Sequence, residues 1–301
     1  MTVDPQAGAA PRGAGVFRSG LIGRSILASR SAWLHEQEAR AQGLPLTYEL
    51  IDFNARGLAD ADLADVVARL RDSGYCGFNV TYPFKQAIIP LLGALADSAT
   101  MVGAVNTVAI RDGRMTGHNT DYSGFRDSVR EGLAGASLER VLQLGAGGAG
   151  SAVAAALLSL GTRVLRIVDV DESRAKGLAV ALHSRFPDRQ ISPARASADV
   201  IRDTDGLVNA TPVGMSAHPG TPIDAALIEP RLWVADIVYF PLETALLRAA
   251  RERGCRVLNG SGMVIGQAAL AFEIITGHKA DVRRMRASFS ARPEEAVAVS
   301  P

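Results

Sequence analysis

The sequence predicts a two-domain α/β protein in which mostly parallel sheets are covered by helices. Two observations predict this fold class. Short apolar, strand-like runs alternate with helical patterns along nearly the whole chain, an order typical of parallel sheets with helices on both faces. The length of 301 residues suits two such domains.

The first half of the chain contains five predicted strands and four predicted helices. Ser29 stands at the expected N-cap of the first helix, and apolar residues recur every three or four positions in the second. Asp112 and Gly113 separate the last two strands and predict a tight hairpin. The strands are predicted at 16–23, 46–53, 77–81, 105–110 and 114–118, and the helices at 30–42, 58–71, 84–89 and 122–132.

The second half begins with a buried strand, followed at once by a glycine-rich turn and an Ala/Leu-rich helix. We predict a first domain over 16–121 that is completed by C-terminal helices at 265–289, a second domain over 122–264, and tails at 1–15 and 290–301. The strands of the second domain are predicted at 141–144, 164–168, 206–210, 234–238 and 256–258, and the helices at 151–160, 173–184, 243–253 and 262–276.

Composition argues against several classes of protein. Apolar residues make up 48% of the chain and charged residues 21%, with a net charge of +1, so neither a nucleic-acid surface nor a basic membrane patch is indicated. No apolar run reaches the roughly 18 residues that span a bilayer. Cys76 and Cys255 lack disulfide or metal spacing, which predicts buried free thiols, no metal site and a reducing cytoplasm. The expected partner is a small molecule, and the protein is expected to be a monomer or homodimer.

A dinucleotide site is predicted where the strand at 141–144 meets the glycines. Gly145 allows a tight turn, Gly147 lets the backbone approach a pyrophosphate, and Gly150 lets helix and strand pack closely. The N-terminus of the next helix offers its N–H groups to the phosphates. This pattern is typical of a Rossmann domain. The predicted cofactor loop consists of Gly145, Ala146, Gly147, Gly148, Ala149 and Gly150.

Asp169 is the predicted ribose ligand of this site. It ends the next strand, near the spacing at which such domains place a carboxylate on the ribose hydroxyls. A carboxylate repels a 2′-phosphate, so we expect NAD to be preferred, with NADP possible. Asp169 has the alternative of being an ordinary turn residue. Arg174 either stacks on the adenine or pairs with a neighbouring aspartate.

Lys85 stands out because the chain otherwise uses arginine. Only three of its 32 basic residues are lysines, and Lys85 is the only one before position 176. A lysine can lose its proton in a suitable environment, whereas an arginine cannot. Lys85 is therefore a candidate acid–base group. The alternative is an ordinary exposed lysine.

Several ordered segments together resemble the shikimate dehydrogenase family, and within it the NAD-dependent quinate/shikimate dehydrogenases. The resemblance extends from about residue 20 to about residue 289. The segments are GLIG at 20–23, SRS at 29–31, NVTYPFK at 79–85, GAVNT at 103–107, GHNTDYSGF at 117–125, the glycine loop, NATPVGM at 209–215, DIVY at 236–239 and GMVIGQ at 262–267.

The resemblance implies reversible oxidation of a ring hydroxyl of shikimate or quinate to the 3-dehydro ketone, in a cleft between the two domains. It implies Ser29 and Ser31 at the substrate carboxylate and Lys85 with Asp121 as the catalytic pair. It also assigns ring-hydroxyl contacts to Thr81, Asn106 and Gln267, a position near the carboxylate to Tyr239, and the nicotinamide side to Thr211, Met215 and Met263.

The sequence leaves alternatives open for both function and residues. A strictly biosynthetic, NADP-dependent shikimate dehydrogenase is one competing interpretation, and a non-catalytic sensor with the same fold is another. Whether Lys85 or Asp121 acts as the kinetic base is undecided, because burial and a neighbouring carboxylate shift a lysine pKa in opposite directions. Asn106 could instead cap a turn, and Gln267 could be an exposed helix residue.

Overall fold

The computed structural model describes residues 15–291, so most of the two predicted tails lies outside the described residues. The strands, in chain order, are β1 (Phe17–Gly23), β2 (Leu46–Asp52), β3 (Gly77–Val80), β4 (Ala94–Leu95), β5 (Thr107–Arg111), β6 (Arg114–His118), β7 (Arg140–Leu144), β8 (Val164–Val168), β9 (Gln190–Pro193), β10 (Gly206–Asn209), β11 (Trp233–Asp236) and β12 (Arg256–Leu258).

The helices are α1 (Ser31–Ala41), α2 (Leu63–Asp72), α3 (Asp97–Val102), α4 (Thr120–Gly132), α5 (Gly148–Ser159), α6 (Glu172–His183), α7 (Ala198–Arg202), α8 (Ala245–Glu252), α9 (Ser261–Thr276) and α10 (Val282–Ala291). The chain divides into two compact units. The first comprises the residues up to Thr120 and those from Gln267 onward, and the second is Asp121–Gly266.

The first unit is built on a six-stranded sheet in the order β2-β1-β3-β5-β6-β4. Strand β1 pairs in parallel with both β2 and β3, and β4 is parallel to β6. Strands β5 and β6 form the predicted hairpin, with Asp112 and Gly113 at positive φ angles of 50° and 75°. The sheet is therefore mostly parallel, and its central parallel strands end at one edge.

Apolar residues of α2 cover one face of this sheet. Leu63, Val66, Val67 and Leu70 lie on one side of the helix and are all buried, as the spacing predicts. They pack in a cluster with sheet residues such as Phe78. This packing holds the strand ends that carry the candidate substrate residues.

The helix predicted at 84–89 is wrong. Residues 82–88 form successive turns, and a short 3-10 helix follows at Ile89–Leu91. The Ile88 N–H donates to the Phe84 carbonyl as in an α-helix, but Ile89 donates to Gln86, and Pro90 has no N–H with which to continue the α-helical pattern. The apolar pair Phe84 and Ile88 is nevertheless buried, so the segment packs inward without forming a helix.

The second unit is a six-stranded, all-parallel sheet in the order β12-β11-β10-β7-β8-β9. The strand order reverses between β7 and β10, which are neighbours although two strands separate them in the chain. Such a switch point opens a crevice at the carboxyl ends of the strands. The glycine loop follows β7 at this point, which is the arrangement of a Rossmann domain.

The two cysteines are free, as expected, but differ in burial. Cys255 is buried, and burial raises the pKa of its thiol. Cys76 is only partly buried, so the prediction of two buried thiols is wrong for this residue. Its position just before β3, where the chain enters the sheet, accounts for the difference.

Candidate active site

The loop after β1 is held by one carboxylate at the end of β2. Asp52 accepts hydrogen bonds from the backbone N–H groups of Ser25 at 3.1 Å and Ile26 at 2.7 Å. Burial opposes ionisation of Asp52, but its four backbone donors outweigh this effect and lower the pKa of the carboxyl. An ionised Asp52 therefore anchors the loop that leads to the two serines.

Ser29 and Ser31 lie side by side at the start of α1. The Ser29 hydroxyl donates to the Ser31 hydroxyl at 3.1 Å, and the Ser31 backbone N–H donates to the Ser29 oxygen at 3.2 Å. The N-cap of α1 is Arg30, without a side-chain cap bond, so the prediction that Ser29 is the N-cap is wrong. The two hydroxyls form a hydrogen-bonding pair at a helix N-terminus, where an anion is favoured.

Tyr48 is a residue that the sequence analysis missed. It lies in β2, is 7% exposed, and its phenol donates to the Asn79 side-chain oxygen at 2.8 Å. The Ser31 hydroxyl is close enough to the phenol to favour its ionised form, although burial outweighs this effect. Burial raises the pKa of Tyr48, so the phenol remains protonated and can donate. The only signal in the sequence was a tyrosine at an inward position of a strand, which packing alone would explain.

From Tyr48 the polar contacts continue across the sheet. The Asn79 amide donates to Thr107 Oγ1 at 2.9 Å, and Thr107 donates to Asn106 Oδ1 at 3.1 Å. The Asn106 amide donates to Thr120 Oγ1 at 2.9 Å, and the Thr120 hydroxyl donates to Gln267 Oε1 at 3.4 Å. We call this connected set the polar network: Ser29, Ser31, Tyr48, Asn79, Thr107, Asn106, Thr120 and Gln267.

Asn106 also has the capping role that the sequence left open. Its side-chain oxygen accepts the backbone N–H of Thr120 at 2.7 Å, at the first residue of α4. An amide has two N–H hydrogens and two acceptor lone pairs, so this cap does not exhaust its hydrogen-bonding capacity. The next residue of the same turn is Asp121, which is 8% exposed. Asn106 therefore fixes the start of the helix that carries Asp121.

Thr81 and Lys85 lie in the turns after β3. The Thr81 N–H donates to the carbonyl of Ile22 in β1, and the Lys85 carbonyl accepts the N–H of Val105. Phe84 stacks against Phe53 with ring centroids 4.4 Å apart and anchors the segment in the core. Lys85 is partly buried, unlike an ordinary surface lysine. The structure thus places Lys85 in a segment whose backbone is tied to two other parts of the sheet.

Each glycine of the cofactor loop has a distinct environment. Gly145 has φ of 100°, which only glycine adopts readily. A Cβ at Gly150 would overlap the Gly145 carbonyl, whereas one at Gly147 would meet no atom of the described chain within 4 Å. Gln143, a buried β7 residue missed by the sequence analysis, donates to the carbonyls of Gly145 and Gly150. The loop is thus held by the Gln143 side chain and has open space at Gly147.

Asp169 lies against this loop. One carboxylate oxygen accepts the N–H of Ala146 at 2.8 Å, and the other accepts the N–H of Asp171 at 2.9 Å. Arg174 pairs with Asp171 at 3.5 Å, which is one of the arrangements left open by the sequence. The Asp169 carboxylate is therefore hydrogen-bonded directly to the glycine loop.

A second buried carboxylate organises the loop after β10. Asp236 accepts hydrogen bonds from Asn209 at 2.9 Å and Thr244 at 2.7 Å. Burial raises the pKa of Asp236 to about 6, although these donors act in the opposite direction. The Asn209 oxygen in turn accepts both the N–H and the hydroxyl of Thr211. Asp236 and Asn209 thus set the position of Thr211, and neither was proposed as a site residue from the sequence.

The remaining predicted residues also lie in the second unit. Met215 is 41% exposed in the loop after β10, and Met263 is 8% exposed in α9. Tyr239 follows β11 and is partly buried. Within residues 15–291, no group of three or more His, Cys, Asp or Glu side chains could hold a metal ion. Nor is any helix in that range long and apolar enough to cross a membrane.

Comparison with known proteins identifies the family. The family model for the shikimate dehydrogenase substrate binding domain matches residues 21–108, and that for the shikimate 5′-dehydrogenase C-terminal domain matches residues 260–288. A shikimate dehydrogenase (NADP(+)) of Arthrobacter sp. (strain FB24) is 49% identical over 276 residues, which cover 91% of this chain and 94% of that protein. The chain belongs to the shikimate dehydrogenase family.

Relatives within the shikimate dehydrogenase family differ in the nucleotide that they are named for. A quinate/shikimate dehydrogenase (NAD(+)) of Corynebacterium efficiens is 46% identical and covers 90% of this chain and 96% of its own length. The quinate dehydrogenase of Corynebacterium glutamicum, solved in complex with NAD, matches with a TM-score of 0.85 at 45% identity, covering 92% of this chain and 99% of that one. Membership of the family therefore does not by itself decide between NAD and NADP for this chain.

Proposed function

We propose that this chain is a dehydrogenase that reversibly oxidises a ring hydroxyl of shikimate, quinate or both to the 3-dehydro ketone, with NAD preferred over NADP. The observation that carries the proposal is the polar network of the first unit. A carboxylic acid with several ring hydroxyls needs many neutral donors and acceptors held in fixed positions, and the network supplies them. The family relationship independently supports this reaction class.

We assign the two ends of such a substrate to different groups of residues. Ser29 and Ser31 at the N-terminus of α1 suit the carboxylate, because hydroxyl donors and the helix dipole both favour an anion. Thr81, Asn106 and Gln267 suit the ring hydroxyls, and Tyr239 is proposed near the carboxylate end. The neutral, buried Tyr48 phenol connects the two groups of side chains.

Lys85 and Asp121 are proposed as the groups that take and return the proton of the reacting hydroxyl. A group that exchanges this proton must be within hydrogen-bond reach of the oxygen and must change charge during turnover. Lysine and aspartate meet the second requirement, and their flanking segments are fixed by backbone hydrogen bonds. Either residue can be the kinetic base.

The second unit has the features that a dinucleotide needs. The open space at Gly147, the tight turn at Gly145 and the N-terminus of α5 fit a pyrophosphate. Asp169, joined to the loop through Ala146, suits the ribose hydroxyls, and we propose Thr211, Met215 and Met263 for the nicotinamide side. When bound, the nicotinamide supplies the hydride acceptor, which no protein side chain can replace.

A strictly NADP-dependent shikimate dehydrogenase is the second candidate, because relatives about half identical to this chain carry that name. The test is a matrix of initial rates with shikimate and quinate against NAD and NADP, followed at 340 nm. We expect at least about 10-fold higher kcat/KM with NAD, because the Asp169 carboxylate repels a 2′-phosphate. Equal or better use of NADP would favour the second candidate, and no turnover with any pair would contradict both.

The proposal also covers the cellular compartment and the oligomeric state. The free thiols of Cys76 and Cys255 suit a reducing compartment such as the cytoplasm. We propose a monomer or homodimer that works on small molecules without nucleic acid or membrane. Size-exclusion chromatography with light scattering decides the oligomeric state, and a trimer or larger assembly would contradict this part.

A further inference from the structure

The side chain between the two proposed carboxylate serines is bound to the C-terminal helix. Arg30 lies between Ser29 and Ser31, and its guanidinium donates to the carbonyl of Phe289 at 3.0 Å. The same guanidinium lies over the Phe289 ring, 5.1 Å from its centroid. Arg30 is therefore held by both the backbone and the side chain of one residue in α10, which is 259 positions away in the chain.

These contacts bind two successive carbonyls near the last described residue of α10, which is Ala291. Trp33 donates its indole N–H to the Ser288 carbonyl at 3.1 Å, beside the Arg30 bond to the Phe289 carbonyl. The start of α1 is thus bound to this part of α10 through two side chains.

An ion pair between a buried carboxylate and a partly exposed arginine joins the other end of the same two helices. Glu38 of α1, whose side chain is 0% exposed, accepts two hydrogen bonds from Arg284 at 2.6 and 2.8 Å. It also accepts the N–H of Asp281 just before α10. Glu38 thus joins the two helices near the end of α1, whereas Arg30 joins them at its start, between the two serines. The position of Arg30 suggests a more local role at the N-terminus of α1.

We propose that Arg30 is a positioning residue for the substrate carboxylate. By binding α10 it limits the motion of the backbone on both sides, and so keeps Ser29 and Ser31 at the spacing that lets both hydroxyls reach one carboxylate. The inference rests on the proposed function, because it assigns Arg30 through the two serines. It gives the C-terminal helix a role in substrate affinity although α10 carries none of the proposed site residues.

The experiment compares Arg30→Met, Phe289→Leu and their double variant in the full chain. We expect Arg30→Met to raise the KM for shikimate or quinate about 10-fold, the effect of one displaced serine hydroxyl losing its hydrogen bond to the substrate carboxylate. The kcat and the KM for NAD should stay within about two-fold of wild type. Phe289→Leu removes the ring under an intact Arg30 and should raise the same KM. The double variant should differ little from Arg30→Met, since that change already removes both contacts of Arg30 with Phe289.

Arg18→Met is the matched control. Arg18 also donates to a backbone carbonyl, that of Ser73 at 2.7 Å, and lies over a ring, that of Tyr75 at 4.7 Å. It is far along β1 from the serines, so this variant should lower Tm without changing the substrate KM. A similar KM increase in Arg18→Met would show a general loss of stability and overturn the proposal.

Ser31→Ala separates failure of this inference from failure of the proposed function. If Ser31→Ala raises the substrate KM and Arg30→Met does not, the positioning role is wrong and the carboxylate site stands. If Ser31→Ala has no effect on KM, the proposed carboxylate site itself is wrong. If Arg30→Met raises KM but Phe289→Leu leaves it unchanged, the ring contact has no part in positioning, which overturns that part of the proposal and leaves the hydrogen bond to the Phe289 carbonyl as the link that holds Arg30.

Discussion

The Asp169 carboxylate accepts the backbone N–H of Ala146 across 2.8 Å and so joins the end of β8 to the glycine loop after β7. A single residue therefore both supports the proposed pyrophosphate loop and presents negative charge beside it. In the proposed cofactor site this contact joins the loop geometry to the charge that is expected to set nucleotide choice, so a substitution at position 169 must separate the two effects.

Asp169→Asn is expected to reduce the preference for NAD. The amide keeps one oxygen for a backbone N–H and removes the charge that repels a 2′-phosphate. The ratio of kcat/KM for NAD to that for NADP should fall about 10-fold or more. Asp171→Asn is the control, because Asp171 caps α6 through Ser173 and should not affect the ratio. An unchanged ratio in Asp169→Asn would count against the ribose assignment.

Gly147→Ala and Gly150→Ala should impair the cofactor loop in different ways, the first through NAD binding and the second through thermal stability. An alanine at 147 meets no described atom within 4 Å, so the variant should keep the wild-type Tm but lose NAD binding, because the methyl group occupies the space proposed for the pyrophosphate. An alanine at 150 meets the Gly145 carbonyl, so Tm itself should fall. Calorimetric titration with NAD and thermal unfolding distinguish them. Tight NAD binding by Gly147→Ala would exclude the proposed phosphate position.

Lys85→Met and Lys85→Arg should both lose most activity. Methionine cannot exchange a proton, and arginine cannot become neutral, so each removes acid–base function while retaining bulk. Loss of such a group typically costs about 100- to 10,000-fold in kcat. Both variants should still bind NAD, since Lys85 belongs to the first unit and the glycine loop to the second. Turnover above about a third of wild type in Lys85→Arg would refute the acid–base role.

His35 should make the first unit acid-labile. It is buried, packs 4.7 Å from the Tyr48 ring, and burial lowers its pKa to about 3. The folded state therefore binds its proton less readily than the unfolded state, and the free energy of unfolding falls as pH drops from about 6.5 toward 3. His35→Leu should shift the acid-unfolding midpoint to lower pH, measured by Trp33 fluorescence in a Trp233→Phe background. An unchanged midpoint would show that other groups control acid unfolding.

Asp236 should give the second unit a pH dependence of the unfolding free energy opposite to that given by His35. Its raised pKa of about 6 means that the folded state holds the proton more tightly than the unfolded state does. The stabilisation is complete below about pH 4 and is lost as pH rises through about 6. Asp236→Asn should remove this dependence of the unfolding free energy on pH. The stability of the variant minus that of wild type should therefore be more favourable at pH 7 than at pH 4. Urea unfolding at both pH values, reported by Trp233 in a Trp33→Phe background, checks this; parallel curves would disprove it.

Local chemistry made much of the fold predictable. The β5–β6 hairpin depends on Asp112-Gly113, and α2 depends on the spacing of four apolar residues, so each signal lies within a few positions of the element it specifies. Strand β9 and helix α7 were missed because they are short and largely exposed and carry no clear periodic pattern. The 84–89 segment was misassigned because it makes a single α-type turn, which Pro90 cannot extend.

The sequence by itself determined the order of the longer strands and helices, the glycine loop and its acidic partner, since periodicity and glycine spacing are local properties of the chain. Only the tertiary structure decided that Tyr48 reaches both Ser31 and Asn79, that Gln143 ties the glycine loop, and that Arg30 binds α10. Strand register and helix packing bring such residues together from distant positions. Hydrogen bonds depend on ångström-scale distances that no local pattern encodes.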